Sequence, residues 1–220
     1  GMNLENLHQA ATPHTTSKIR TKLDLRQIHS LGFRGEALHS LAQLSDLHIC
    51  SRGSEKDAGW QVTYDRCGNP QNLKNTAIAI GTIVTARHIF HNHPARLDGL
   101  PSISQQLRKI QLLISEMAIA HPHITWQITL DRKNWFTLWA GDTAKDMLGQ
   151  VIKSIKSEDL VYGTEGFTSI TMGLPDRTSR HRPDWVRVAI NGRFIQIPEL
   201  EQTIFSSFNQ TLPRLRYPIC

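Results

Sequence analysis

Apolar positions along the chain switch between two periods, and the switch predicts a mixture of helices and short strands. Leu4, Leu7, Ala10 and Ala11 recur at three- and four-residue spacing, which sets them on one face of a helix. A polar loop follows, and a second helical run starts near Glu36. From Asp46 to Ala86 the pattern shortens to β-like runs at 47–50, 60–64 and 82–86, separated by Gly, Asn, Asp and Pro. This predicts a strand meander with a helical layer. Two prolines and a glycine between 91 and 104 mark a junction near Leu100, so the expected domains are 1–100 and 101–220.

The second half opens with Ser102 and Gln105 spaced as a capping box, and Leu107, Ile110, Ile114 and Met117 follow on one helical face as far as His121-Pro122. Ile124, Trp126, Ile128 and Leu130 alternate with polar residues as a strand, which Asp131 to Asn134 turn into a second strand from Trp135 to Trp139. Asp142 is positioned to cap a helix bearing Met147, Leu148, Val151 and Ile152. Strands are expected near 160–162, 167–172, 185–190 and 194–197, the last two joined by Asn191-Gly192, which suits a type I′ turn. Pro198 fits the first turn of a helix with Leu200, Ile204, Phe205 and Phe208 on its apolar face. The fold class is therefore α+β.

With 39% hydrophobic and 20% charged residues over 220 positions, a folded core is expected. No run approaches the roughly 18 apolar residues that read as a membrane span, and no signal peptide precedes the first helix, so a cytoplasmic location is expected. Cys50, Cys67 and Cys220 are far apart and odd in number, which argues against a disulfide framework or a zinc knuckle. Gly1-Met2 reads as the remnant of a cleaved tag. The net charge of +6 and pI near 9.5 favour polyanionic partners without identifying one.

The chemistry gathers at Gly32-Phe33-Arg34-Gly35-Glu36-Ala37-Leu38, where two glycines lead into a helix start. Glycine lets the main chain approach an anion without a Cβ in the way, and a helix N-terminus adds unpaired N–H donors and the positive end of its dipole. That heptapeptide resembles the signature of the MutL family of DNA mismatch-repair proteins. His14-Thr15-Thr16-Ser17-Lys18-Ile19 is similar to the family's segment upstream of it, and Gly81-Thr82-Ile83-Val84 to its Gly-Thr-x-Val strand. Phe90 to Arg96 resembles its Phe-x-Asn-x-Pro-Ala-Arg segment, and Asn191-Gly192-Arg193 an element of its second domain.

The resemblance implies a partial nucleotide-binding α/β sandwich, of the kind shared with gyrase and Hsp90, followed by a ribosomal-protein-S5-like α+β domain. It implies that Thr16, Ser17 and Lys18 belong to a lid over the nucleotide, that Gly32, Phe33, Arg34, Gly35 and Glu36 line the triphosphate, and that Thr82 lies beneath the nucleotide. It implies ATP and Mg2+ as cofactors of the full-length protein, an ATPase cycle coupled to homodimerisation, and engagement of DNA and of mismatch-recognition and other repair proteins. The family's acidic general base, magnesium-binding asparagine and Asp-x-Gly-x-Gly segment have no counterpart here, nor does its γ-phosphate lysine. No catalytic residue is therefore assigned in this chain, and the fragment alone is expected to be inactive and to hold no cofactor.

Arg177, Arg180, Arg182, Arg187 and Arg193 form a basic stretch with Asp176 and Asp184 the acids beside it. Arg177, Arg180, Arg182 and Arg193 are the expected contacts to DNA phosphates, without base readout. His88, His91 and His93 invite a metal, but no neighbouring carboxylate or cysteine completes a ligand set, so no metal is expected. The alternative function is a nucleotide-independent DNA- or protein-binding module.

Overall fold

The computed structural model describes residues 1–19, 21, 23–24, 32 and 34–220. The chain divides into two compact units, Gly1–Pro101 and Ser102–Cys220. The first carries helices α1 (Leu4–Gln9), α2 (Ala37–Leu44) and α3 (Pro94–Asp98) with strands β1 (Asp46–Arg52), β2 (Trp60–Tyr64), β3 (Pro70–Asn75) and β4 (Gly81–Arg87). The strands form one antiparallel sheet in the order β3-β2-β1-β4. Alternation along β1 buries Leu47, Ile49 and Ser51, and the register sets them beside Tyr64, Val62 and Trp60 of β2. Leu7 of α1, Ala11 just after it and Ala42 of α2 close over this face.

β3 has no counterpart in the periodicity above. It begins with Pro70 and five of its six residues are exposed, so it carries no apolar alternation to find. Its edge position tolerates both the missing proline N–H and the polar composition. α1 starts where Asn3 Oδ1 accepts the Asn6 N–H at 2.9 Å. Six residues cannot sustain a helix alone, so α1 depends on its seat against the sheet. There the buried Tyr64 hydroxyl donates to the Leu7 carbonyl at 2.6 Å, and burial pushes its pKa up to about 12.

Gly1 and Met2 are built into this unit rather than appended to it. The Met2 N–H donates to the Ser51 hydroxyl at 2.7 Å, and the Met2 side chain packs against the core. A Cβ on Gly1 would collide with the Arg52 carbonyl and lie 2.8 Å from that of Gly81. A side chain at position 1 would therefore not fit between these strand ends.

The second unit contains helices α4 (Ile103–Ala120), α5 (Ala144–Val151) and α6 (Pro198–Ser207) and three hairpins. These are β5 (Trp126–Leu130) with β6 (Lys133–Leu138), β7 (Leu160–Glu165) with β8 (Thr168–Gly173), and β9 (Val188–Ile190) with β10 (Arg193–Ile195). Ser102 and Gln105 cap α4, which ends at His121. The β5–β6 turn is tighter than expected: only Asp131 and Arg132 form it, both at positive φ (49° and 64°), and Lys133 already belongs to β6. The cap of α5 is Thr143 rather than Asp142, because Asp146 Oδ2 accepts the Thr143 N–H at 2.9 Å and its hydroxyl at 3.0 Å. These bonds hold the Asp146 carboxyl below the usual carboxylate range.

Asn191 and Gly192 turn β9 into β10 with φ of 51° and 75°. A Cβ on Gly192 would sit 2.8 Å from His121 Cε1, so the turn lies flat on the ring that ends α4. Apolar cores form from Leu148, Ile152, Ile155, Leu160 and Ile219, and from Ala118, Leu138 and Met147.

Tyr64→Phe is expected to destabilise the fold by about 1 kcal/mol in chemical denaturation, by removing one net hydrogen bond. The folded-state pKa is raised from 10.0, so the phenol's contribution is complete below pH 10 and lost as pH rises through about 12. Wild type should therefore lose stability relative to the variant in that window, and parallel pH profiles would contradict the assignment. Gly192→Ala, at positive φ and against His121, is expected to lower stability by about 1–3 kcal/mol.

Candidate functional site

The loop after α1 and the glycine motif before α2 meet. Gly35 adopts φ +69°, and a Cβ there would run into the Thr15 backbone, so Gly35 serves as the floor for the residue 12–18 loop. His14 Nδ1 lies 3.2 Å from Glu36 Oε1 across the same contact, with both side chains well exposed. Within the loop, Thr16 Oγ1 accepts the Lys18 N–H at 3.2 Å, which folds Thr16, Ser17 and Lys18 into a local turn. Glu36 is the N-cap residue of α2 and its side chain makes no cap bond, so it leaves the helix's leading N–H groups uncovered. Gly32 would carry a Cβ into open space, and Phe33 lies outside the described residues.

The loop is anchored from behind by the Ala11 carbonyl. His39 Nδ1 donates to it at 3.0 Å, so Nε2 is left to accept from Gln43 Nε2, also at 3.0 Å. Gly68, at φ +81°, approaches the same carbonyl so closely that a side chain would overlap it.

Thr82 stands at the opposite end of α1. It pairs with Ser51 across β1–β4, whereas the Ala11 end of α1 meets Gly68 beyond Tyr64, a separation along the sheet of roughly 13 Å at about 3.3 Å per residue. Register places Thr82 and Val84 on the helix-bearing face, yet both are exposed there. The helices thus leave an open shelf on β4 among the described residues.

Ser51, fully buried, is a functional candidate that the sequence reading did not single out. Its hydroxyl donates to the Gly81 carbonyl at 3.0 Å, accepts from the Met2 N–H and lies 2.8 Å from Thr82 Oγ1. With its one proton committed to Gly81, Ser51 accepts from Thr82, and the lone pairs of Thr82 Oγ1 remain to accept from a ligand. An alternating Ser in an otherwise apolar strand face was the available signal.

The basic stretch is less free than its sequence suggests. Arg177 lies 3.8 Å from Asp159 and 3.6 Å from Asp176, and Arg180 lies 3.5 Å from Asp184. The Arg180 backbone also bonds both ways with Tyr217, at 2.9 and 2.8 Å. Arg187 is half-buried 3.3 Å from Glu116 of α4, a packed ion pair. Arg182 is exposed and Arg193 partly so.

The histidines acquire a carboxylate that sequence proximity did not offer. Pairing of β1 with β4 brings Asp46 to 2.7 Å from His88 Nδ1 and 3.9 Å from His91 Nε2. The hydrogen bond from His88 holds the Asp46 carboxyl below its ordinary range. No group of three His, Cys, Asp or Glu residues among the described residues is arranged to hold a metal.

Comparison with known proteins sets this geometry in context. Residues 147–220 match the family model described as DNA mismatch repair protein, C-terminal domain. The chain is 46% identical over 242 aligned residues to the DNA mismatch repair protein MutL of Nostoc punctiforme, covering 100% of this chain and 43% of that protein. It is 30% identical to the MutL of Lactococcus lactis, covering 99% of this chain and 34% of that protein. The chain thus spans less than half the length of these relatives. Among solved structures, the Aquifex aeolicus MutL ATPase domain complexed with ADP aligns with a TM-score of 0.63 at 21% identity, covering 91% of this chain and 75% of that one. The N-terminal domain of a DNA repair protein aligns with a TM-score of 0.73 at 20% identity, covering 100% and 71%. These establish the fold as the α+β arrangement of MutL ATPase domains.

Gly35→Ala is expected to dislodge the residue 12–18 loop, seen as faster tryptic cleavage after Lys18 and a stability loss of about 1–3 kcal/mol. Gly32→Ala, with nothing within 4 Å of its Cβ, is the control expected to leave both unchanged. Equal cleavage rates for the two variants would remove the floor assigned to Gly35.

Proposed function

The chain belongs to the MutL family of DNA mismatch-repair proteins, and from that premise we propose that it supplies the lid, phosphate loop and base-side shelf of an ATP site, followed by a second domain that carries DNA contacts. The observation that carries this reading is the contact between Gly35 and the Thr15 backbone, which joins the lid loop to the uncapped start of α2. The residues fit a nucleotide in their chemistry. Main-chain N–H groups at the α2 start would donate to phosphate oxygens, with the helix dipole adding to their pull. Gly32 leaves its Cβ side open for that approach, and Lys18 would add charge from the lid.

At the other end, Thr82 offers an acceptor oriented by Ser51, suited to the exocyclic amine of adenine. The roughly 13 Å along the sheet between Thr82 and the Ala11 end of α1, from which the loop over Gly35 departs, is of the order needed to set base and triphosphate apart. Magnesium would neutralise the phosphates; the described residues do not form a ligand cluster for it. The whole protein's ATP-driven cycle and homodimerisation belong to the same proposal, as do its dealings with DNA and repair partners and its cytoplasmic location.

For DNA, the exposed Arg182 supports phosphate contact best, because Arg177 and Arg180 already face carboxylates. Such contacts would be sequence-independent and weaken with salt.

The test compares this chain with a protein extended to the length of its relatives, using a fluorescent ATP analogue and phosphate release. The extended protein is expected to bind and hydrolyse ATP, with Thr82→Ala weakening binding about tenfold, and the 220-residue chain to release no phosphate. An extended protein indifferent to ATP and magnesium would replace this proposal with a nucleotide-independent binding module. In DNA titrations, Arg182→Ala should reduce the log–log salt slope by about one; an unchanged slope would exclude that contact.

A further inference from the structure

In the second unit, the end of α6 and the segment after it enclose a depression of about 520 Å³. That volume falls within the range of about 300–1,000 Å³ usual for ligand pockets. Its walls are Phe205, Phe208, Leu212 and Tyr217, and its rim is Arg214-Leu215-Arg216. Phe205 and Tyr217 meet edge to face at 5.7 Å, which fixes the aromatic wall. The Tyr217 backbone is tied on both sides to Arg180, so the wall belongs to the folded unit rather than to a loose tail.

The rim is costly to the free chain in two ways. Leu215 holds φ +59°, a left-handed conformation that disfavours a branched side chain, and the same side chain is 86% exposed. Arg214 and Arg216 have no ion pair among the described residues, and no acidic residue lines the depression. Strain, an exposed leucine and two uncompensated guanidiniums on three consecutive residues are together what a covered, acid-paired surface would relieve.

We propose that this depression docks a partner protein's peptide segment that inserts one bulky apolar side chain and places flanking Asp or Glu carboxylates on Arg214 and Arg216. Charge complementarity selects the acidic flank, since a guanidinium binds a carboxylate through two parallel N–H bonds. The lining selects a side chain over a nucleobase. A base carries polar edges that need partners all round, and inside the rim arginines only Asn209 and the Tyr217 hydroxyl interrupt the aliphatic and aromatic lining. Leu215 would then pack on the inserted segment, turning an exposed apolar group into a contact.

The experiment pans a phage-displayed random dodecapeptide library on the 220-residue chain, with counter-selection on R214E/R216E. Enriched sequences are expected to place an aromatic or branched apolar residue beside Asp or Glu. A synthetic peptide of the enriched sequence should lose at least tenfold in affinity on R214E/R216E, whose thermal midpoint should match wild type. Leu215→Gly separates docking from folding: relief of the left-handed strain should raise the midpoint while the same peptide binds several-fold more weakly. Three results would overturn the proposal. Enrichment could show no acidic–apolar pairing, or the peptide could bind R214E/R216E as well as wild type. Alternatively, an oligothymidylate could bind in an Arg214- and Arg216-dependent way while no peptide does, making the site one for single-stranded nucleic acid.

Discussion

The first unit depends on the seating of α1 across the sheet. A six-residue helix has too few internal bonds to persist in water, so its geometry comes from the buried Leu7 side chain and the Tyr64 hydroxyl on the Leu7 carbonyl. Everything of chemical interest there hangs from its two ends. Its start leads from the Met2 N–H that engages Ser51 and, through Ser51, Thr82. Its end delivers the Ala11 carbonyl to His39 and Gly68, from which the loop over Gly35 departs.

Glycines act here as spacers that admit backbone. Gly1, Gly35, Gly68 and Gly192 each lie where a single added carbon would overlap a carbonyl, a main chain or an imidazole. The motif around Gly35 illustrates why a glycine pair is ambiguous in a sequence. One of its glycines, Gly32, faces open space as an anion cradle requires, while the other is consumed by contact with the protein's own loop. In the proposed site the motif would thus have two uses at once, one toward a ligand and one toward the loop that covers it.

The second unit spends its basic residues more heavily on itself. Arg187 is packed with Glu116, and Arg177 and Arg180 face Asp159, Asp176 and Asp184. Charges that look like a continuous basic strip along the chain therefore resolve into ion pairs and a smaller exposed remainder. Arginines without carboxylate partners among the described residues appear instead at the aromatic depression after α6, a region whose sequence announced only a helix.

Local signals carried much of this fold. The capping box at Ser102 and Gln105, the alternation along β1 and β2, the Asn191-Gly192 turn and Pro198 at the start of α6 each act within a few residues, so each could be read directly from the chain. The edge strand β3 and the short helix α3 escaped because polar edges and five-residue helices have no hydrophobic period. Family membership was likewise legible, since it rests on ordered short motifs. The partners of charged and hydroxyl groups were decided by the tertiary structure alone: Asp46 reaches His88 through strand register, Ser51 reaches Thr82 across a sheet, and Arg187 finds Glu116 on a helix far back in the chain. Periodicity specifies which way a side chain faces along its own element, but what stands opposite is fixed by how elements pack, and electrostatics and hydrogen bonding act over those few ångströms rather than along the sequence.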